Sequence, residues 1–240
     1  GQPMNVETAL RQVVLIMGRE FGRPRMYSPT SEPNRPDGTF DLVVRVYKDG
    51  QVSRYLDSVP LGGKVQMSWP WPAPLSPERR NPGRRVGLIA YGVGITELYP
   101  TAVNELRDPC VKEVTLLYST CTLEEQRVLG PELEQLVALH HGRFRLERTL
   151  TRQCAPPGFL SGRVDTQMLT AVFPWADRAR DDVRFLASGT REMMEDTMQK
   201  LDSLGYDRDT YKLIRDGSVF GMLTGGFTSM FSGVLRQFGF

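Results

Sequence analysis

Histidine and cysteine are scarce in this 240-residue chain: two adjacent histidines, His140 and His141, and three cysteines, Cys110, Cys121 and Cys154. None has metal-ligand spacing, so the sequence predicts no metal site and no disulfide framework. Unpaired thiols suit a reducing, cytoplasmic compartment. Charge of one sign is also lacking. Thirty Lys and Arg against 28 Asp and Glu leave a net charge of +2, too little to argue for a nucleic-acid partner. The one dense basic run, Arg79-Arg80 with Arg84-Arg85, lies in a proline-rich stretch and reads as a solvated connection. There is no signal peptide at the start and no run near the roughly 20 apolar residues of a membrane span. A GxSxG elbow is missing, and the paired histidines read as partners of a helix C-terminus rather than a catalytic pair.

What is present is ordinary in bulk, 40% hydrophobic and 24% charged, and long enough for two modest domains. The first third reads as short β segments, "RQVVLIM" (11–17), "DLVVRVYK" (41–48) and "KVQMSW" (64–69), with a short helix in "VSRYLDSV" (52–59). The prolines of "WPWPAPLSPERRNPG" (69–83) forbid regular structure there and mark a boundary. Beyond it, strands are expected at 85–92, 113–119, 143–150, 182–189 and 210–214. Helices are expected at 97–108, 124–141, 165–173 and 190–205. Such alternation predicts a doubly wound parallel sheet. The division expected is 1–80, 81–215 and an apolar extension at 216–240. Helix methionines Met193, Met194 and Met198 read as core filling.

Two turns carry chemistry. In "YGVGIT" (91–96), Gly92 and Gly94 let backbone approach a ligand, and the helix behind them offers free N–H groups to phosphate. "LASGTREM" (186–193) repeats that context at the end of another strand. Ligands of open α/β sheets collect at the carboxyl ends of the strands, so the two turns reinforce one another. Near the start, "RMYSPTS" (25–31) places Arg25 and Tyr27 on one face of a strand, a cation beside an aromatic ring.

The order RMYS, DLVVRVY, GQVSRYL, GVGIT and SGTREM resembles the NADH–cytochrome b5 reductase branch of the ferredoxin–NADP reductase superfamily, over roughly Val14 to Ile214. The resemblance implies a flavin-binding antiparallel β-barrel, here N-terminally shortened, followed by the nucleotide-binding α/β domain. FAD and NADH are the implied cofactors, and a cytochrome b5-like haem protein the implied electron acceptor. By resemblance, Arg25 pairs with the FAD pyrophosphate, Tyr27 lies against the isoalloxazine, and Ser28 bonds near flavin N5. Val43, Arg45 and Tyr47 match the strand beside the ribityl and phosphate portion. Gly50, Val52 and Ser53 match the helix start that receives the pyrophosphate. Thr96 and Ser188 match the catalytic positions, with Gly92, Gly94, Gly189 and Met193 beside the dinucleotide.

Several positions depart from the family pattern. The proline closing GxGxxP is Glu97, the family cysteine is Ser188, the two prolines after it are Thr190 and Arg191, and the proline between Arg25 and Tyr27 is Met26. These departures keep open an alternative, a reductase-fold binding module without turnover. Acidic residues in "STCTLEEQR" (119–127), ahead of Arg127, favour NADH over NADPH. In 216–240, Phe220, Leu223, Phe227, Met230, Phe231, Val234 and Phe238 recur at helical steps. That stripe suits packing on the chain itself or on a second copy, with attachment to an organelle membrane surface as the sharper alternative.

Overall fold

The computed structural model describes residues 12–16, 24–32, 35–72, 85–175, 182–206 and 211–215. The 216–240 extension, including its apolar stripe, lies outside them, as does most of the proline-rich stretch. Near the start, strands β1 (Gln12–Ile16), β2 (Arg25–Tyr27) and β3 (Met67–Pro72) form an antiparallel sheet in the order β2-β1-β3. Alternation along β1 buries Val14 and Ile16, which meet Val52 of helix α1 (Gln51–Ser58) in a small core. Tyr27, Phe40, Leu42, Leu56 and Val65 pack around that core.

Two expectations for this part are corrected. β3 runs through Pro70 and Pro72, inside the stretch expected to be irregular. Among the described residues it pairs with β1 alone, and an edge strand tolerates a missing N–H. The run 41–48 forms no strand. Among the described residues its one ladder contact is an isolated bridge from Leu42 to Pro29, with Thr30 N–H donating to Asp41 O at 3.0 Å. β-Branched residues favour a pleated surface only when a neighbouring strand supplies one. Val46 and Tyr47 instead stand about half exposed.

The second sheet has six strands, all parallel, in the order β7-β6-β5-β4-β8-β9. β4 (Arg85–Tyr91) lies between β5 (Glu113–Thr120) and β8 (Val183–Gly189), flanked by β6 (Phe144–Leu150), a two-residue β7 (Leu160–Ser161) and β9 (Tyr211–Arg215). The period of two sorts the strands between two cores. Val86, Leu88 and Ala90, with Leu116 and Tyr118, pack under α2 (Ile95–Arg107) and α3 (Gly130–Leu139). Ile89, Leu117, Phe185 and Ala187 face α4 (Thr166–Val172) and α5 (Arg191–Ser203). A sheet covered on both faces needs continuous apolar strands, and these supply them.

The helix expected at 124–141 is shorter. A 3-10 turn covers Glu125–Arg127, Leu129 takes a left-handed φ of 56°, and α3 begins at Gly130. Pro131 lies in the first turn of α3, where its missing N–H has no helical partner to lose and its fixed φ suits the helix. The methionines of α5 also divide. Met194 is fully buried, whereas Met193 is 41% exposed and fills no core.

Candidate active site

The carboxyl end of β4 turns through Gly92–Gly94 into α2. Gly92 has φ +52°, a conformation side chains seldom adopt. At Gly94 the reason for glycine is space: a Cβ there would stand 2.3 Å from Ser188 O. The turn thus rests on the backbone at the carboxyl end of β8, and Gly92, Gly94, Thr96, Ser188 and Gly189 gather at one end of the sheet. Thr96 Oγ1 donates to Val93 O at 2.9 Å, which anchors the first turn of α2. Ser188 is buried, and among the described residues its hydroxyl has no hydrogen-bond partner.

Glu97 follows in the same helical turn. Ser28 Oγ donates to Glu97 Oε2 in a short hydrogen bond, which ties the RMYS segment to α2. Burial pushes the Glu97 carboxyl above its ordinary pKa, with the Ser28 bond opposing the rise. Sequence reasoning placed Glu97 at a helix N-terminus but could not supply its partner. The only local signal was a carboxylate where the family pattern has proline.

Arg25 is exposed, its Nη1 reaching only Pro24 O at 3.3 Å, and it makes no ion pair among the described residues. Tyr27 is part-buried against the Val14–Ile16 core. Arg45 donates from Nη2 to Glu125 Oε1 at 3.1 Å and lies 5.7 Å from the centre of the Tyr47 ring. Glu125 Oε2 accepts from Cys121 N at 2.9 Å, so this carboxylate links the first part of the chain to the end of β5. That pairing spans 80 residues and left no trace in the sequence. Arg45 Nη1 also stands 3.7 Å from where a Gly92 Cβ would lie.

Helix α1 starts at Gly50 with no side-chain cap and no acidic residue in its first turn. Ser53 Oγ accepts from Tyr47 N at 3.2 Å. The Val52 side chain belongs to the small core, so only its backbone N–H is available to a ligand. Val43 is part-buried and packs against the core of the large sheet. Met193 sits exposed in the first turn of α5, whose cap is Thr190 Oγ1 accepting from Met193 N at 3.4 Å.

Sequence reasoning also passed over Tyr91. Its ring covers Gly189, with Cβ 2.9 Å from where a Gly189 Cβ would be. Its hydroxyl shares a 2.7 Å hydrogen bond with Thr197 Oγ1. Burial pushes the phenol up to about 12, against the effect of Thr197.

Comparison with known proteins accords with this geometry. Residues 10–72 match the oxidoreductase FAD-binding domain family, and residues 88–199 the oxidoreductase NAD-binding domain family. NADH-cytochrome b5 reductase 1 of Mycosarcoma maydis is 30% identical over 189 residues, covering 77% of this chain and 55% of that protein. The protein of the same name from Candida glabrata is 30% identical over 193 residues, 78% of this chain and 65% of its own length. The chain thus spans between half and two thirds of these curated relatives. Among solved structures, the cytochrome b5 reductase domain of Ulva prolifera nitrate reductase superposes with a TM-score of 0.72 at 24% identity, covering 86% of this chain and 85% of that one. A ferredoxin NADP+ reductase from Neisseria gonorrhoeae with bound FAD and NADP gives 0.66 at 22% identity, 85% of each chain. Two oxidoreductase domain families, FAD-binding and then NAD-binding, thus match the chain in order, and the curated relatives it is similar to are NADH-cytochrome b5 reductases.

Proposed function

We propose that the chain is an FAD-dependent oxidoreductase that takes hydride from NADH and passes electrons to a haem protein such as cytochrome b5. The observation that carries this reading is the seating of Gly94 on Ser188 O together with the Ser28–Glu97 bond. These contacts would bring the residues proposed for the flavin and those proposed for the nicotinamide to the same end of the large sheet.

The residues fit the cofactor. The exposed Arg25 guanidinium and the uncapped, acid-free start of α1 at Gly50, Val52 and Ser53 would together offer donors and positive charge to a pyrophosphate. Tyr27 and Ser28 follow Arg25 along the chain and would meet the isoalloxazine. Arg45 and Tyr47, already held against one another, would border the ribityl and phosphate portion. The Gly92–Gly94 turn and Thr96 would leave backbone room for the nicotinamide, with Ser188, Gly189 and Met193 on its other side. Bound FAD supplies the hydride and single-electron chemistry, whereas the chain orients the partners and excludes water.

Among the described residues no helix is long and apolar enough to cross a membrane. The three free cysteines suit the cytoplasmic side, where 216–240 would supply contact with an organelle membrane or a second copy. The test is the visible spectrum of the purified chain and its NADH-dependent reduction of ferricyanide and cytochrome b5. A yellow, active protein is expected. A chain that stays colourless after incubation with FAD overturns the reading in favour of a binding module.

A further inference from the structure

Ser28 has a single hydroxyl hydrogen, and in this structure it goes to the Glu97 carboxyl. With Glu97 ionised, Ser28 Oγ is therefore left only as an acceptor toward any third group. With Glu97 protonated, the carboxylic O–H donates to Ser28 Oγ, and the serine hydrogen is released to donate elsewhere. The carboxyl thus decides which way the hydroxyl points its hydrogen. Nitrogen N5 of an oxidised flavin accepts a hydrogen bond, and that of a reduced flavin donates one. We propose that Glu97 is a positioning residue that sets the direction of the Ser28 hydrogen bond to flavin N5, and so makes the flavin's reduction respond to pH. The inference rests on the proposed seat of the flavin beside Ser28.

The surroundings suit a group that changes state. Burial favours the neutral acid, whereas the Ser28 bond and the N-terminal turn of α2 favour the anion. The neighbouring ionisable groups are engaged elsewhere or uncharged. Before Ser28, exposed Arg25 reaches Pro24 O. On α2, Tyr99 is neutral and Arg107 is paired with Glu32 at 2.7 Å. Arg45 is paired with Glu125, the end of β8 offers only Ser188 and Gly189, and Arg191 at the start of α5 is paired with Glu195 at 2.8 Å. None of them decides the proton on Glu97; burial and Ser28 do.

Two measurements test this on the full chain. In flavin-free protein, infrared titration should show a carboxylic acid band that disappears as pH rises and is absent in Glu97→Gln. In FAD-loaded protein, the midpoint potential plotted against pH should change slope by one proton at the pH of that band. That break should be lost in Glu97→Gln and in Ser28→Ala, and kept, displaced in pH, in Glu97→Asp. The infrared band should survive in Ser28→Ala, which separates the acid from its relay. If Glu97→Gln does not fold, Ser28→Ala alone decides. A break that persists in the variants, or a wild-type potential line without one, overturns the inference and leaves the proposed function standing. A chain that takes up no FAD overturns both.

Discussion

Gly94→Ala tests whether the site is assembled by one backbone contact. The glycine already has a helical conformation, φ −57°, so alanine adds no backbone strain. What it adds is a Cβ that would sit 2.3 Å from Ser188 O and 2.8 Å from Ser188 C, backbone atoms that cannot rotate away. The start of α2 must then lift from β8. Overpacking of this kind costs ~1–3 kcal/mol. Alanine's smaller loss of chain entropy returns roughly 0.4–1 kcal/mol, so we expect a net loss of about 1.3 kcal/mol. For a chain of this size that lowers the melting temperature by roughly 3–5 °C. Gly130→Ala is the control. It is the same chemical change at the start of α3, where a Cβ would meet nothing within 4 Å, and it should stabilise by roughly 0.4–1 kcal/mol. Thermal melts followed by circular dichroism compare the two. If Gly94→Ala melts at or above wild type, the turn does not rest on β8 as described.

Arg184 on β8 and Glu105 on α2 form an ion pair in which the side chains are only 12% and 6% exposed. Arg184→Leu strands the carboxylate and should cost roughly 3–5 kcal/mol, most of which returns when Glu105→Leu is added. Urea denaturation of both proteins reads this. Tyr91, pushed up to about 12 in the folded chain from an ordinary 10.0, holds its proton where the unfolded chain loses it. Stability should therefore be intact below pH 10 and fall by roughly 2–3 kcal/mol as pH rises toward 12. Tyr91→Phe should remove that part of the slope; denaturation midpoints that fall equally in both proteins would refute it. Arg25→Ala should lower FAD retention at least tenfold, since a pyrophosphate would lose a charge-assisted fork worth about 1.5–3 kcal/mol. Flavin fluorescence during dialysis measures this, and full retention would move the pocket elsewhere.

Some of this protein was legible one segment at a time. Continuous apolar runs such as 86–90 announced strands covered on both faces, because no alternation with polar residues was available to keep one face in water. The proline-rich stretch and the glycine ending the helix of 190–205 are signals of backbone geometry, which depends on a few neighbours. The same locality explains the misses. Residues 41–48 have strand composition, but among the described residues the bridge from Leu42 to Pro29 is their one ladder contact, and composition cannot supply a partner strand. The helix at 124–141 was read from leucine spacing, and Pro131 ended that reading. The site is a different matter. Ser28 meets Glu97 across 69 residues and Arg45 meets Glu125 across 80, contacts made only when the first segment packs against the start of α2 and the turn after β5. Local sequence settles which way a few dihedral angles fall. Which carboxylate lies against which hydroxyl depends on how distant segments pack, and the folded chain alone decides that.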